Sequence, residues 1–303
     1  MGKEPPLMDA PKLTPARTVA RVETRRRLGP DAQVDDKALV FAPSDPALTD
    51  PFLLLAEDWF SSPGFEWHPH RGLETVTTVL DGVLEHGDSL GNAGALQPGD
   101  VQWMTAGRGI IHRELAYRNE HAHTLQLWLN LPAARKLTDT RYQDLLAAGR
   151  PRVRRPGVVI DVISGTVDGV TGPALNHVDV QGALVLLEPA ATLRYPLPSR
   201  HRAFVHVLAG RATVAGKRLN VGQTAWSDPV TGAGRGSELP QAAPDGDAPT
   251  RLMVYSGTPL REPVVLGGPF VMNRRTEITQ AFADFQAGKF GRVPRKARLT
   301  HTR

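Results

Sequence analysis

Six of the ten histidines lie between His68 and His123. Within that span His68-Pro69-His70 places two imidazoles at alternate positions. On a β-strand alternate residues share a face, so His68 and His70 project together, roughly 7 Å apart along the strand. His112-Arg113-Glu114 is a second pair of the same spacing. If the two strands are neighbours, three imidazoles and one carboxylate converge. By ligand type such a set suits a divalent ion such as Fe(II), Mn(II), Ni(II) or Zn(II). Four protein ligands leave open positions only around an octahedral ion, which favours iron-type chemistry over structural zinc. The chain contains no cysteine, so any metal must be held by nitrogen and oxygen, and disulfides, thiolate zinc and cysteine nucleophiles are excluded.

Other residues compete for the role. His121 and His123 form a rival pair, but beside Asn119 and Glu120 they read as a solvated strand entry. His86 follows Glu85 beyond a hairpin and reads as a surface residue. Glu74 has the parity to face the His68/His70 side, as a ligand, as a partner holding a ring, or as a buried charge paired with Arg71. Trp67 and Trp103 are candidates for a pocket wall, although tryptophans in a β protein more often fill the core.

The elements that must position these residues are strands. The 303 residues carry 29 glycines and 26 prolines, which argues against a helical bundle and for a turn-rich all-β chain. Short apolar or alternating runs (Thr75–Leu80, Val101–Met104, Thr124–Leu131) are broken by Asp81-Gly82 and Pro98-Gly99-Asp100, both turn signals. Strand signals resume at Val158–Ser164, Ala183–Leu187, Phe204–Leu208 and Leu252–Tyr255. Two helices are predicted, Ala133–Ala148 (interrupted at Thr138–Thr140) and Glu277–Ala287 with Thr276 as N-cap. Residues 229–249 read as a surface loop.

The predicted organisation is a flexible leader (1–16), an N-terminal metal-binding barrel (17–150), a C-terminal barrel (151–288) and a basic tail (289–303). The stretch RPRVRRPG is taken as the junction. The pattern V79-L-D-G recurs as V207-L-A-G, and L96-Q-P-G-D-V-Q-W as L219-N-V-G-Q-T-A-W, which predicts a duplicated β module. Carrying the first module's chemistry forward by those offsets lands on Pro196, Pro198, Arg235 and Ser237, which form no ligand set, and His201 and His206 differ in parity. The second module is therefore expected to be metal-free. No segment has the length of a membrane span or the core of a signal peptide, so a soluble cytoplasmic protein is expected.

The segment HPHRGLETVTTVLDGVLEHGDSLGNAGALQPGDVQWMTAGRGIIHRE resembles the pirin family of bicupins. The likeness extends to DPFLLLAEDWF, LQLWLNLP, TPLREPVVLGGPFVMN and ITQAFADF. It implies two tandem cupin (jelly-roll) barrels, the first binding one mononuclear divalent metal. The implied ion is Fe(II), with Mn, Ni, Cu, Co or Zn as alternatives. The implied ligands are His68 and His70 of the HPH motif with His112 and Glu114 of the G-I-x-H-x-E motif. Glu74 then becomes a partner of the ligands, with Gln102, Trp103 and Met104 as pocket or wall residues.

Two roles follow from the resemblance. One is a quercetin 2,3-dioxygenase-type activity, in which a flavonol is opened by O2 with loss of carbon monoxide and Glu114 takes the hydroxyl proton. The other is an iron- and redox-dependent regulatory protein that binds a transcription factor or metabolic enzyme without turnover. The net charge is +5, and the basic stretches carry no nucleic-acid reader motif, so direct nucleic-acid binding is not expected.

Overall fold

The structure is a computed structural model that describes residues 15–61, 64–230, 236–246 and 248–293. The predicted leader and basic tail therefore lie largely outside the described residues. No helix among the described residues is long and apolar enough to cross a membrane.

The chain forms two cupin barrels, each a seven-stranded antiparallel sheet over a four-stranded one. In the first barrel the large sheet runs Arg141–Leu145, Val101–Thr105, Leu73–Gly82, Ala122–Asn130, Phe52–Phe60, Asp36–Phe41 and Arg26–Arg27. Its small sheet runs Phe65–His70, Ile110–Ala116, Leu84–Asp88 and Ala93–Leu96. In the second barrel the large sheet runs Arg21–Thr24, Gln223–Ser227, Arg202–Ala209, Thr250–Gly257, Val180–Leu187, Val158–Ser164 and Arg152–Arg155. Its small sheet runs Thr192–Pro198, Gly236–Ala242, Arg211–Val214 and Lys217–Asn220. The two orders match strand for strand. Val79 and Val207, and Trp103 and Trp226, stand on equivalent strands, so the internal repeat read from the sequence is carried by the topology.

Alternation along each large sheet makes both of its faces useful. On Ala122–Asn130, Leu125, Leu127 and Leu129 face outward and join Val76 and Trp103 against Phe204, Trp226, Met253 and Tyr255 of the second barrel. The barrels thus meet through one continuous apolar core. The opposite face, carrying Thr124, Gln126 and Trp128, points into the first barrel. The interior of the second barrel is almost wholly aliphatic, built from Val185, Leu187, Leu193, Leu197, Val205, Leu239 and their neighbours.

Several expectations about local structure need correction. Residues 133–148 are not a helix: short turns at Ala133–Arg135 and Ala147–Gly149 flank the strand Arg141–Leu145, which pairs with Val101–Thr105. The Thr138–Thr140 break leaves too few residues on either side to repay helix nucleation, and a sheet edge was there to take the second half. The basic RPRVRRPG is no free linker. Arg152–Arg155 is the edge strand of the second barrel, its arginines blunting the edge, while Arg150 is buried with its guanidinium on Asp161 at 2.8 Å. Residues 236–242, read as loop, pair with Thr192–Pro198. The C-terminal helix is found as Arg275–Gln286, with Arg274 rather than Thr276 at the N-cap.

The chain ends are exchanged between the barrels. Arg21–Thr24, from the N-terminus, occupies in the second barrel the place that Arg141–Leu145 occupies in the first. Arg17 anchors it. The buried guanidinium donates to Ser237 Oγ (2.7 Å) and to the carbonyls of His201 (2.6 Å), Asp228 (2.9 Å), Pro198 (2.6 Å) and Ser199 (3.0 Å). Conversely, the hairpin of Val265–Gly267 and Phe270–Met272 and the helix Arg275–Gln286 return to the first barrel. There Phe270 and Phe290 pack on Ile111, and Lys136 Nζ donates to Gly72 O (2.7 Å), Asn130 Oδ1 (2.5 Å) and Val271 O (2.9 Å). Lys289 and Phe290, assigned to the basic tail, are bound: Lys289 to Asp284 and Phe290 under Arg71 and Gly109.

Removing the Arg17 side chain strands five acceptors, several of them buried, each costing ~1–3 kcal/mol when unsatisfied. Arg17→Met is expected to destabilise the protein by at least ~3 kcal/mol in urea unfolding. An unchanged midpoint would show that the N-terminal strand contributes nothing to the second barrel.

Candidate metal centre

The two sequence pairs do lie on neighbouring strands. Phe65–His70 pairs with Ile110–Ala116 in the register His70↔Ile110, Pro69↔Ile111 and His68↔His112. His112 thus stands directly across from His68, with His70 two residues along the same face. Ring centroids are 4.3 Å apart for His68 and His112, and 5.0 Å for both His68–His70 and His70–His112. A nitrogen from each of the three rings lies within 4.8 Å of the others, and this is the one such group found among the described residues.

The rings are held in the form a metal needs. His68 Nδ1 donates to the Glu66 carbonyl (2.7 Å), and His70 Nδ1 to that of Pro269 (3.2 Å). A carbonyl only accepts, so these contacts fix the Nδ1–H tautomer and leave the Nε2 lone pairs free. His70 Nε2 and both nitrogens of His112 are buried with no hydrogen-bond partner. Orphaned nitrogens that converge at this spacing fit a bound ion of the borderline class.

Glu114 is placed differently. A bulge shifts the register between His112 and Glu114, so that Glu114 faces Phe65. Its carboxylate is outside the three-histidine group. Oε1 accepts from Thr77 Oγ1 (2.9 Å) and Oε2 from Gln126 Nε2 (2.6 Å). Trp128 Nε1 donates to Gln126 Oε1 (3.0 Å), which fixes the amide so that its NH2 must face Glu114. Each carboxylate oxygen retains further lone-pair capacity. Glu114 still lines the same cavity, of about 220 Å³, with Phe65, His68, His70, Gln126, Trp128 and Pro269.

The remaining sequence candidates divide by strand face. Glu74 lies on the face of Leu73–Gly82 turned to the second barrel; it accepts from Thr105 Oγ1 (2.6 Å), and burial pushes its pKa up to about 7. It pairs neither with a ligand nor with Arg71, whose partner is Asp284. Trp103 shares that outward face and belongs to the core between barrels. Gln102 and Met104 point inward, but neither lines the cavity. Trp67 packs outside, under Arg113 and near the C-terminal helix. His121 pairs with Asp81 on the outer surface, whereas His123, expected to be solvated, is partly covered and pairs with the buried Glu57. His86 corrects its surface reading outright: it is fully buried, 5.5 Å from His112 between ring centroids. In the second barrel His206 bonds Thr224 and His201 bonds Ser256; Arg235 lies outside the described residues.

Sequence reasoning missed Thr77, Gln126, Trp128, Phe65 and Pro269. The alternation within Thr124–Leu131 already placed Gln126 and Trp128 on one face. Nothing local pointed to Pro269, which arrives from 199 residues beyond His70.

Family models described as pirin and as the pirin C-terminal cupin domain match residues 22–129 and 183–291. Pirin-1 of Arabidopsis thaliana is 40% identical over 248 residues, covering 82% of this chain and 85% of that one. A Pseudomonas aeruginosa protein provisionally named a quercetin 2,3-dioxygenase is 39% identical over 292 residues, covering 91% of this chain and 99% of that one. The crystal structure of a quercetin 2,3-dioxygenase from Acinetobacter baumannii superposes with a TM-score of 0.80 at 30% identity, covering 92% of this chain and all of that one.

Burial, then the neighbouring His68, lowers the pKa of His70 to about 3, and burial with the adjacent imidazoles puts His112 well below its usual value. Both rings stay neutral in the fold, whereas in the unfolded chain they protonate near pH 6.5. Below that pH the unfolded chain binds more protons, so their contribution to stability is complete above about pH 6.5 and declines as pH falls towards 3. The melting temperature of metal-free protein should fall between pH 6.5 and 5, and His70→Leu should flatten that slope; an equal slope in the variant would contradict the assignment.

Proposed function

The chain belongs to the pirin family of two-barrel cupin proteins, and from that premise we propose that it is a metal-dependent flavonol dioxygenase of the quercetin 2,3-dioxygenase type. The observation that carries this reading is the convergence of three imidazoles, two of them oriented by backbone carbonyls, beside a cavity lined by Glu114, Phe65 and Trp128. His68, His70, His112 and Glu114 would hold one divalent ion, with Fe(II) the first candidate and Mn, Ni, Cu, Co or Zn as alternatives. When bound, such an ion supplies Lewis acidity to a ligand hydroxyl and carbonyl and access to O2 chemistry.

The chain's own residues supply the rest. Phe65, Trp128 and Pro269 offer flat apolar walls to a flavonol ring. The cavity, about 220 Å³, falls below the roughly 300–1,000 Å³ that encloses a drug-sized ligand. It therefore takes the hydroxyl-carbonyl edge of the substrate and leaves the far ring at the mouth. Glu114, steadied by Thr77 and Gln126, accepts the 3-hydroxyl proton on a carboxylate oxygen. The barrel walls keep bulk water from the reacting edge.

The basic stretches give the regulatory reading little support. Within RPRVRRPG, Arg150 is tied to Asp161 and Arg155 to Asp168.

The test is direct. Protein loaded with Fe(II) should consume quercetin and O2, followed as loss of the flavonol absorbance. His70→Ala should abolish this, and Glu114→Gln should lower turnover by ~10²–10⁴-fold while leaving the fold intact. Wild-type protein should carry close to one ion per chain and His112→Ala almost none; equal loading would overturn the ligand set. Absence of turnover with every first-row metal, together with an iron-dependent protein partner in a pull-down, would overturn the enzyme in favour of the regulatory role.

A further inference from the structure

Two of the three rings in the triad have their orientation accounted for, by the carbonyls of Glu66 and Pro269. The third does not. His112 is fully buried, and neither of its nitrogens has a hydrogen-bond partner. A ligating imidazole offers one nitrogen to the ion and donates the other N–H to an acceptor, so His112 is one acceptor short.

The group placed to serve is His86. The strand Leu84–Asp88 pairs with Ile110–Ala116 in the register His86↔Glu114 and Asp88↔His112, which turns His86 and Asp88 into the barrel beside the triad. His86 is itself fully buried, and both of its nitrogens also lack a hydrogen-bond partner. The two rings stand 5.5 Å apart between centroids at 44°. Two imidazoles joined by an N–H···N bond have centroids about 5.2 Å apart, so the rings are near enough for that bond once a nitrogen of each is turned towards the other. The back of His86 is built to hold it there. The ring stacks on Tyr142 (4.5 Å, 19°), whose hydroxyl bonds Asp144, and Nε2 stands 3.7 Å from Asp88 Oδ2. Asp88 is fixed in turn by the side chain of Asn92 (2.8 Å) and the backbone N–H groups of Leu90 and Asn92 (2.9 and 3.0 Å).

We propose that His86 is a positioning residue of the metal centre: it accepts the hydrogen bond from the His112 nitrogen turned away from the ion, with Asp88 and Tyr142 holding it in place. The assignment rests on His112 being a ligand. It makes His86 the side-chain counterpart of the two backbone carbonyls that orient His68 and His70. Loss of such a support lowers metal affinity by roughly 10–100-fold without removing a ligand.

The experiment measures Co(II) affinity by competition with a chromogenic chelator, alongside the EPR spectrum of Cu(II)-loaded protein. His86→Phe keeps a ring over Tyr142 and removes the acceptor. It should weaken Co(II) binding about 10–100-fold and change the copper hyperfine pattern, with the melting temperature of metal-free protein close to that of wild type. His86→Asn or His86→Gln, which return an acceptor, should regain most of the loss. Affinity within twofold of wild type in folded His86→Phe overturns the proposal, as does a loss that neither amide restores. Should His86→Phe not fold, Asp88→Asn is the second variant. A several-fold loss of affinity there supports the role, and none overturns it. Wild-type protein that takes up no Co(II), or His112→Ala that binds as tightly as wild type, marks failure of the ligand assignment itself and the role of His86 with it.

Discussion

Burying an imidazole is costly unless its nitrogens find partners, and the interior of the first barrel buries three side by side, on His70, His86 and His112. That burden is the constraint the rest of the structure answers to. A barrel filled this way cannot be stabilised by its own interior. Its apolar support lies elsewhere: at the closed end, where Phe60, Val79, Leu84, Leu96 and Ala116 cluster, and outside the large sheet, where Val76, Trp103 and Leu127 meet the second barrel. The second barrel keeps the topology and fills it with aliphatic side chains. One copy of the module gathers the buried histidines; the other carries an aliphatic core of its own and shares a second core with the first.

The exchanged ends serve the same need. The C-terminal hairpin and helix cover the flank of the first barrel on which Ile111 and Trp67 stand, and they bring the carbonyl that orients His70. Lys136 shows how closely this cover is fitted. Its amine, pushed down to about 7 by burial, is neither catalytic nor exposed; it ties Gly72, Asn130 and Val271 into one contact. The site is therefore built from both halves of the chain, although three of the side chains at its centre come from a stretch of 45 residues.

What the sequence disclosed, and what it hid, follows from the range of the interactions. Strand parity is local, so the shared face of His68 and His70 was legible, and so was the inward turn of Gln126 and Trp128 for a reader who followed it. The repeat was legible because equivalent strands need equivalent turns. Strand direction alone misplaced Glu74: its parity was judged across the turn at Arg71-Gly72, where the chain passes from the small sheet to the large one, and the face reverses. The helix expected over 133–148 failed because an open sheet edge competed with a weak helical segment. His86 was hidden because polarity near a hairpin ordinarily signals solvent, and here it signals the interior of a barrel that is polar inside. Pro269 was beyond reach, since nothing at residues 68–70 encodes the return of the chain nearly two hundred residues later.

The return of the C-terminal hairpin also imposes an order in time. His112 is synthesised 160 residues before Met272, the end of that hairpin. At ~5–20 residues per second, His112 emerges from the ribosome about eight to thirty seconds ahead of the Pro269 carbonyl that orients His70. During that interval the imidazoles are present without their full support and without the cover of the last helix.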